Sequence, residues 1–206
     1  MGEKTGILGG TFNPVHIGHL HLAQAALKQA GLKQVWFMPS GISYMKEGQY
    51  ILPAAQRSRL IELSIGNNPS FRVCDMEIRR EGYTYTYETM ETLKRMDPAG
   101  EYYFICGADS LYCVENWKYP ERIFAACTFL AAVREDTDRV WLEEQAEKLR
   151  RLYRADIRLL AFERTDISAT EIRERIAEGK SIEGMVTPEA EKYIVKNKLF
   201  LNQSRN

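Results

Sequence analysis

Six short apolar runs, separated by stretches of helical periodicity, constrain the fold of this 206-residue sequence more than any other feature. The runs are continuous rather than alternating, which is typical of strands covered on both faces. They occupy residues 6–8, 35–38, 71–74, 102–106, 128–133 and 157–161. Because strands that alternate with helices form parallel β-α-β units, we predict an α/β fold with a doubly wound, mostly parallel sheet of the Rossmann-like kind.

The helical patterns between these runs have recognisable ends. One covers residues 18–30 and stops at Gly31, another starts at Pro53, a third follows Thr84, and a fourth covers residues 141–152. Beyond residue 162 the pattern becomes helical, with Ser168 opening one helix and Thr187 capping another. We expect a single domain of residues 1–206, in which a core of residues 1–162 carries a small helical subdomain of residues 163–206.

Composition narrows the function classes. Basic and acidic residues both number 28, so the net charge gives no reason to expect a nucleic-acid partner. The four cysteines form no Cys-x-x-Cys pair, which argues against a zinc or redox motif, and no run approaches the ~20 apolar residues that span a bilayer. We expect a cytoplasmic protein with reduced thiols and no membrane partner. Its oligomeric state stays open, a homo-oligomer included.

The first motif follows the first strand, where open α/β sheets bind ligands. Paired glycines let a phosphate approach main-chain N–H groups, so we predict nucleotide binding by Gly9, Gly10, Thr11 and Phe12. The letters match neither Gly-x-Gly-x-x-Gly nor a Walker P-loop.

Two histidines come next, at the predicted start of a helix. Their spacing of three places His16 and His19 on one helical face, about one turn apart, beside the partial positive charge of the helix N-terminus. Two imidazoles there, one of them open to protonation, would clamp a phosphoryl group that gains negative charge. Structural histidines are the alternative, and a metal site lacks an obvious third ligand. We take His21 as structural or exposed.

A second motif lies far away in the sequence. Ser168 is a strong N-cap candidate with Glu171 three residues on, as in a capping box. A well-capped helix would explain these two residues alone. Arg173, about one turn further in, could grip a polyphosphate with its guanidinium.

Both motifs resemble those of the His-x-Gly-His nucleotidylyltransferase superfamily, the second through its element Ile-Ser-x-Thr-x-Ile-Arg. The resemblance implies that Ser168, Thr170 and Arg173 hold the β- and γ-phosphates of ATP. The letters His-Ile-Gly-His also occur in class I aminoacyl-tRNA synthetases, but those enzymes are much longer and carry a Lys-Met-Ser-Lys-Ser motif that is absent here.

Within that superfamily the whole chain resembles the nicotinate-nucleotide adenylyltransferases. The segment 80–89 is similar to their Arg-Glu-Gly-x-Ser-Tyr-Thr-x-Asp-Thr stretch, and Gly107, Asp109 and Trp117 match their Gly-Ala-Asp…Trp pattern. The resemblance implies contacts to adenosine for Gly107 and Asp109. The residues that we expect to bind the acceptor are Thr84, Tyr85, Thr86 and Trp117. Trp117 offers a face on which a pyridine ring can stack, with a core tryptophan as the alternative, and the backbone N–H groups of Thr84 and Thr86, at a helix start, could meet a carboxylate.

Two further cations are candidate partners of the nucleotide. Arg134, at the end of the fifth run, is a candidate near the adenine or the phosphates, with a solvated surface arginine as the alternative. Many family members carry Pro-Pro-His-Lys in the loop after the second strand, whereas this chain has Ser43, Tyr44, Met45 and Lys46. Lys46 remains as a phosphate partner, and Tyr44 or the loop backbone would have to replace the histidine.

The resemblance implies transfer of an adenylyl group from ATP to nicotinate mononucleotide by in-line displacement, with Mg²⁺ carried by ATP. In this scheme His16, His19, Lys46 and Arg173 are the catalytic residues. One rival is a related transferase with another acceptor, such as nicotinamide mononucleotide or phosphopantetheine. The other is a regulator that binds the nucleotide without turnover. No cation is assigned to the nicotinate carboxylate, so the preference for acid over amide stays open.

Overall fold

The computed structural model describes residues 2–42, 50–133, 136–162 and 165–201, without the side chains of residues 136–138. Lys46 and its neighbours Ser43, Tyr44 and Met45 lie outside the described residues, as does Arg134.

Six strands form one parallel sheet with the order β3-β2-β1-β4-β5-β6. Their bounds are β1 Lys4–Gly10, β2 Gln34–Pro39, β3 Phe71–Val73, β4 Glu101–Gly107, β5 Thr128–Val133 and β6 Ile157–Ala161. All six predicted strands are present, and the predicted α/β class and doubly wound sheet are confirmed. The sheet is entirely parallel across the described pairings.

The described helices connect these strands and then continue alone. They are α1 Ile17–Gln29, α2 Ala54–Ile65, α3 Thr86–Met96, α4 Ala108–Cys113, α5 Pro120–Ala126, α6 Asp136–Tyr153, α7 Ala169–Ala177 and α8 Pro188–Lys196. Sequence patterns missed α4 and α5, which have 6 and 7 residues. Helices of under two turns are too short to show a 3.6-residue period clearly.

Successive strand residues point to opposite faces of the sheet, and each face has its own apolar core. Leu8 and Ile105 face α1, α2, α7 and α8, whereas Ile7 and Phe104 face α3, α4, α5 and α6. The two cores cover the sheet from both sides, which explains the continuous apolar runs.

The C-terminal helices share the first of these cores. Ile172 of α7 and Ile194 of α8 are buried in the same cluster as Leu8 and Leu60. The backbone N–H of Ile17 donates to the carbonyl of Met185 at 3.0 Å. The C-terminal unit therefore holds the first turn of α1, where the two histidines lie.

The strand order reverses between β1 and β4. In sheets of this kind the carboxyl ends of the two central strands open a crevice. Their last residues include Gly9, Gly10 and Gly107. No helix among the described residues is long and apolar enough to cross a bilayer.

Candidate active site

Two adjoining cavities open at this switch point. The larger has a volume of about 400 Å³ and the smaller about 300 Å³, and Gly10, Thr11 and His19 line both. The predicted site residues on the larger one are Gly9, Gly10, Thr11, His19, Thr84, Tyr85, Thr86, Gly107 and Trp117. Those on the smaller one are Gly10, Thr11, Phe12, His16, His19, Thr170 and Arg173. The fold thus brings residues of all the predicted motifs to one crevice, with His19 where the cavities meet.

Phe12 supports the site from behind. Its backbone adopts a left-handed conformation with φ 49°, and its side chain is only 2% exposed. The ring lies edge-on to His19, with centroids 5.0 Å apart, and also contacts Phe37. The side chain of Phe12 therefore packs against the imidazole of His19.

The two imidazoles lie together, as their spacing predicted. The ring centroids of His16 and His19 are 3.8 Å apart, with His16 at the N-cap of α1. The backbone N–H of His16 donates to Nδ1 of His19 at 3.2 Å. Because Nδ1 accepts this hydrogen bond, the proton of a neutral His19 lies on Nε2.

His16 is neutral near pH 7. Burial lowers the pKa of His16 to about 4, because the imidazolium would lose hydration. Of the two imidazoles, one of which we expected to be open to protonation, His16 is therefore not the protonated one near neutral pH. Its Nδ1 is buried with no hydrogen-bond partner among the described residues, and so is Oγ1 of Thr165.

Gly18 is the residue that lets this arrangement form. A Cβ atom on Gly18 would lie 2.8 Å from Oγ1 of Thr165 and 3.1 Å from both Nδ1 and Cε1 of His16. Either distance is shorter than an ordinary contact of 3.4 Å or more. The glycine therefore leaves room for the imidazole at the start of α1.

Arg173 joins the second motif to the first. Its Nη1 donates to the carbonyl of Asn13 at 2.9 Å, across 160 positions of sequence, and its Nη2 donates to Oγ1 of Thr170 at 3.1 Å. The Ser168 hydroxyl accepts from the backbone N–H of Glu171 at 3.1 Å, which confirms the predicted N-cap. Ser168 is not among the described residues that line the two cavities, so its contribution there is to cap α7.

Asn13 is a residue that sequence reasoning missed. Its Nδ2 donates to the carbonyl of Tyr50 at 2.9 Å, and its Oδ1 accepts from the backbone N–H of Leu52 at 3.0 Å. Together with the bond from Arg173, these contacts tie three separate segments at the smaller cavity. An asparagine after Thr-Phe gave no signal of such long-range partners.

The larger cavity carries the predicted acceptor residues, with one correction. Helix α3 begins at Thr86 with Tyr85 at its N-cap, so Thr84 lies before the helix. The backbone N–H of Thr84 donates to the carbonyl of Ile42 at 3.1 Å. Thr84 therefore has no backbone N–H to offer a carboxylate, contrary to the expectation, and only Thr86 of the two lies at the helix N-terminus.

Several residues of this cavity were not anticipated, and three of them carry ionisable or hydroxyl groups near the predicted acceptor residues. They are Glu77, Ser110 and Lys118. Lys118 is exposed, and its Nζ lies 4.3 Å from the centroid of the Tyr85 ring. Burial raises the pKa of Glu77, which accepts a hydrogen bond of 2.8 Å from Oγ1 of Thr89. No motif marked these side chains, because only the fold brings their segments to one wall.

Trp117 forms part of that wall. Its indole is half-buried and meets the ring of Phe104 edge-on, with centroids 5.8 Å apart. Asp109, in contrast, is exposed in the first turn of α4 and is not among the described residues that line either cavity, whereas the next residue, Ser110, is. The structure thus places Trp117 at the cavity, as expected, and Asp109 at its margin.

The described residues contain no group of three His, Cys, Asp or Glu side chains arranged to hold a metal ion. The described side chains that line the smaller cavity are cationic or neutral instead, with no carboxylate among them. A divalent ion that enters with a nucleotide would find its oxygen ligands on the phosphates themselves.

Known proteins match the chain over nearly its whole length. A family model described as cytidylyltransferase-like matches residues 7–175. A protein of Lachnoclostridium phytofermentans, named "probable nicotinate-nucleotide adenylyltransferase", is 39% identical over 199 residues, which cover 97% of this chain and 100% of that one. A protein of Dehalococcoides mccartyi with the same name is 39% identical over 96% of this chain and 97% of its own.

The fold has solved counterparts. The nicotinic acid mononucleotide adenylyltransferase of Plasmodium falciparum, complexed with NaAD, superposes with a TM-score of 0.79 at 19% identity, over 96% of this chain and 97% of that one. The same enzyme complexed with APC gives a TM-score of 0.78.

Proposed function

This chain belongs to the nicotinate-nucleotide adenylyltransferase family, and we propose that it transfers the adenylyl group of ATP to the phosphate of nicotinate mononucleotide. The products are nicotinate adenine dinucleotide and pyrophosphate, a step of NAD biosynthesis. The observation that carries the proposal is the convergence of the two motifs at one crevice. Arg173 bonds to Asn13 beside His16 and His19, and the cavity with Trp117 opens directly next to them.

The reaction needs no general base. A phosphate monoester carries a charge of about −1.5 to −2 at pH 7, so its oxygen is already a nucleophile. That oxygen forms a bond to the α-phosphorus of ATP, while the bond from the α-phosphorus to the bridging oxygen breaks and its electron pair leaves with pyrophosphate. Catalysis is therefore positioning and charge stabilisation.

His19 and His16 supply this stabilisation at the α-phosphoryl group. His19 is held with its proton on Nε2, so it donates a hydrogen bond rather than accepting one. His16 is neutral and packs against His19 at 3.8 Å between centroids. Gly9, Gly10 and Thr11 bring the backbone close enough to contact the nucleotide, and Gly107 and Asp109 lie on the adenosine side.

The pyrophosphate end lies at the smaller cavity. Arg173 and Thr170 already form a hydrogen-bonded pair there, and the N-terminus of α7, capped by Ser168, adds a partial positive charge. On the sequence we assign Lys46 as a further phosphate partner and Arg134 as a cation near the adenine or the phosphates, and both lie outside the described residues. A divalent ion, which we assign as Mg²⁺, would enter with the nucleotide and would neutralise negative charge that develops on its phosphates.

The acceptor lies in the larger cavity. Its pyridine ring stacks on Trp117, and its carboxylate meets the backbone N–H of Thr86 at the start of α3. We add the ammonium group of Lys118 to this end, because it lines the same cavity and contacts Tyr85. A cation there favours nicotinate, which is charged, over nicotinamide, which is not.

A pyrophosphate-release assay with ATP and a panel of acceptors tests the proposal. We expect release with nicotinate mononucleotide, with kcat/KM at least tenfold above that for nicotinamide mononucleotide. Release only with phosphopantetheine or another acceptor would refute the assignment of the substrate. Tight ATP binding without any release would instead favour the nucleotide-binding regulator.

A further inference from the structure

A buried arginine outside both motifs stands directly behind the nucleotide-binding loop. Arg57 lies in the first turn of α2 and is 4% exposed. Its guanidinium donates three hydrogen bonds to carbonyl groups of three segments: Nε to Leu52 at 3.0 Å, Nη1 to Thr11 at 2.9 Å and Nη2 to Ser40 at 2.8 Å.

The positive charge of this group has no negative partner in the part of the chain that the structure describes. All three of its hydrogen-bond acceptors are neutral carbonyls, and none of the described ion pairs includes it. A buried cation without a counter-charge is expensive in a folded protein, and an arginine does not shed its proton to avoid that cost. An anionic ligand nearby would provide the missing compensation.

The three carbonyls belong to segments that form the two cavities. Thr11 lines both cavities, Ser40 lines the larger one, and Leu52 follows Ile51, which lines the smaller one. In a trans peptide the C=O and N–H groups point in opposite directions. When the carbonyl of Thr11 points at Arg57, the N–H of the same peptide, that of Phe12, points away from Arg57.

We propose that Arg57 is a positioning residue for the polyphosphate of ATP and acts through its positive charge, which its three hydrogen bonds hold behind the loop of Thr11. This inference rests on the proposed use of ATP, but not on the identity of the acceptor. In this proposal Arg57 supplies positive charge to the site, which the neutral imidazole of His16 does not.

The test compares two substitutions that shorten the side chain and differ in charge. Arg57→Lys keeps the positive charge and Arg57→Gln removes it, while both variants lose the guanidinium group that makes the three hydrogen bonds. Arg59→Gln is the matched control, since Arg59 lies on the same helix but is half exposed and pairs with Glu62. Calorimetric titration of the folded variants with ATP and with adenosine separates binding of the charged ligand from binding of the neutral one, and chemical unfolding reports stability.

We expect Arg57→Gln to weaken ATP binding about tenfold while adenosine binding changes by less than about twofold, because only the charged ligand interacts with the missing cation. Arg57→Lys should stay within about threefold of the original protein for ATP, and Arg59→Gln should match it. The KM for ATP should rise more than kcat falls in Arg57→Gln.

Equal losses for ATP and adenosine, or equal ATP affinities in the Lys and Gln variants, would show that Arg57 is only a structural cross-link. If the Gln variant does not fold, a tenfold loss of ATP binding in Arg57→Lys at unchanged adenosine binding overturns the proposal. No acceptor is present in these titrations. The ratio of the ATP affinity to the adenosine affinity therefore does not depend on whether nicotinate mononucleotide is the acceptor.

Discussion

Replacing Gly18 by alanine tests whether the position of His16 controls turnover. The new Cβ would lie 3.1 Å from two atoms of the His16 ring and 2.8 Å from Oγ1 of Thr165. To reach an ordinary contact of 3.4 Å, the imidazole must move by about 0.3 Å and the hydroxyl by about 0.6 Å. Both atoms are buried, so neither can simply turn out into water.

The expected effects on stability and on turnover differ in size. Overpacking costs about 1–3 kcal/mol, and alanine in place of glycine in a helix returns about 1 kcal/mol. The free energy of unfolding should therefore fall by only about 1 kcal/mol. A displacement of 1 Å can cost about 100-fold in rate, so a shift of about 0.3 Å in the imidazole predicts a fall of about fourfold in kcat.

The assay is pyrophosphate release under saturating substrates, with urea unfolding of the same samples. The variant Gly18→Ala with Thr165→Ala provides the comparison, because it removes the 2.8 Å contact and leaves the two with His16. We expect this double variant to regain stability but to keep the low kcat. Full kcat in Gly18→Ala, or full recovery in the double variant, would refute the argument that the imidazole position is what the glycine protects.

Three further predictions concern single side chains. His19→Ala should lower kcat by about 10²–10³-fold, since it removes one donor to the developing charge, and pyrophosphate release by the folded variant checks it. Lys118→Gln should lower the ratio of kcat/KM for nicotinate over nicotinamide mononucleotide by roughly 5- to 30-fold, as expected for one partly hydrated charge pair. The stability that neutral His16 confers is fully present above pH 6.5 and is lost as the pH falls through about 4, because its pKa is lowered in the folded state. Between pH 6.5 and pH 4, the free energy of unfolding of the original protein should therefore fall by roughly 3 kcal/mol more than that of His16→Asn, and urea unfolding measures both.

Two of these predictions have a matched control variant in the same chain. Arg122 is exposed beside Tyr119 and pairs with Glu91, so Arg122→Gln should leave the acid-to-amide ratio unchanged. His21 is exposed on the same helix α1, so His21→Asn is the matched replacement of a histidine outside the site. Unchanged selectivity in Lys118→Gln, or an unchanged pH profile in His16→Asn, would remove those residues from the roles given to them. Near-normal turnover in His19→Ala would do the same for His19.

Local patterns in the sequence were enough to locate the strands and several helix ends. The continuous run at residues 128–133 coincides with β5, which is buried on both faces from Phe129 to Val133. The run at residues 157–161 coincides with β6, an edge strand in which Arg158 is exposed. The cap formed by Ser168 was equally predictable, since its partner is the backbone of Glu171, three residues away. The resemblance of the motifs also indicated the family.

Residues whose partners lie far away in sequence were not accessible in this way. The bond from Arg173 to Asn13 and the contacts of Arg57 join segments that only the order of the strands brings together. Lys118 was overlooked because no local pattern shows that its segment forms a wall of the acceptor cavity.

The glycine and histidine motif of residues 9–19 shows the same difference between local contacts and contacts with distant segments. By itself the sequence determined that His16 and His19 share one face at the start of a helix, because that follows from the helical repeat. The hydrogen bond that places the proton of a neutral His19 on Nε2 is also local, since its donor is the backbone of His16, three residues away. Only the tertiary structure decided that His16 is neutral, because its pKa is lowered by burial under segments that are distant in sequence, and no short stretch of sequence contains that burial.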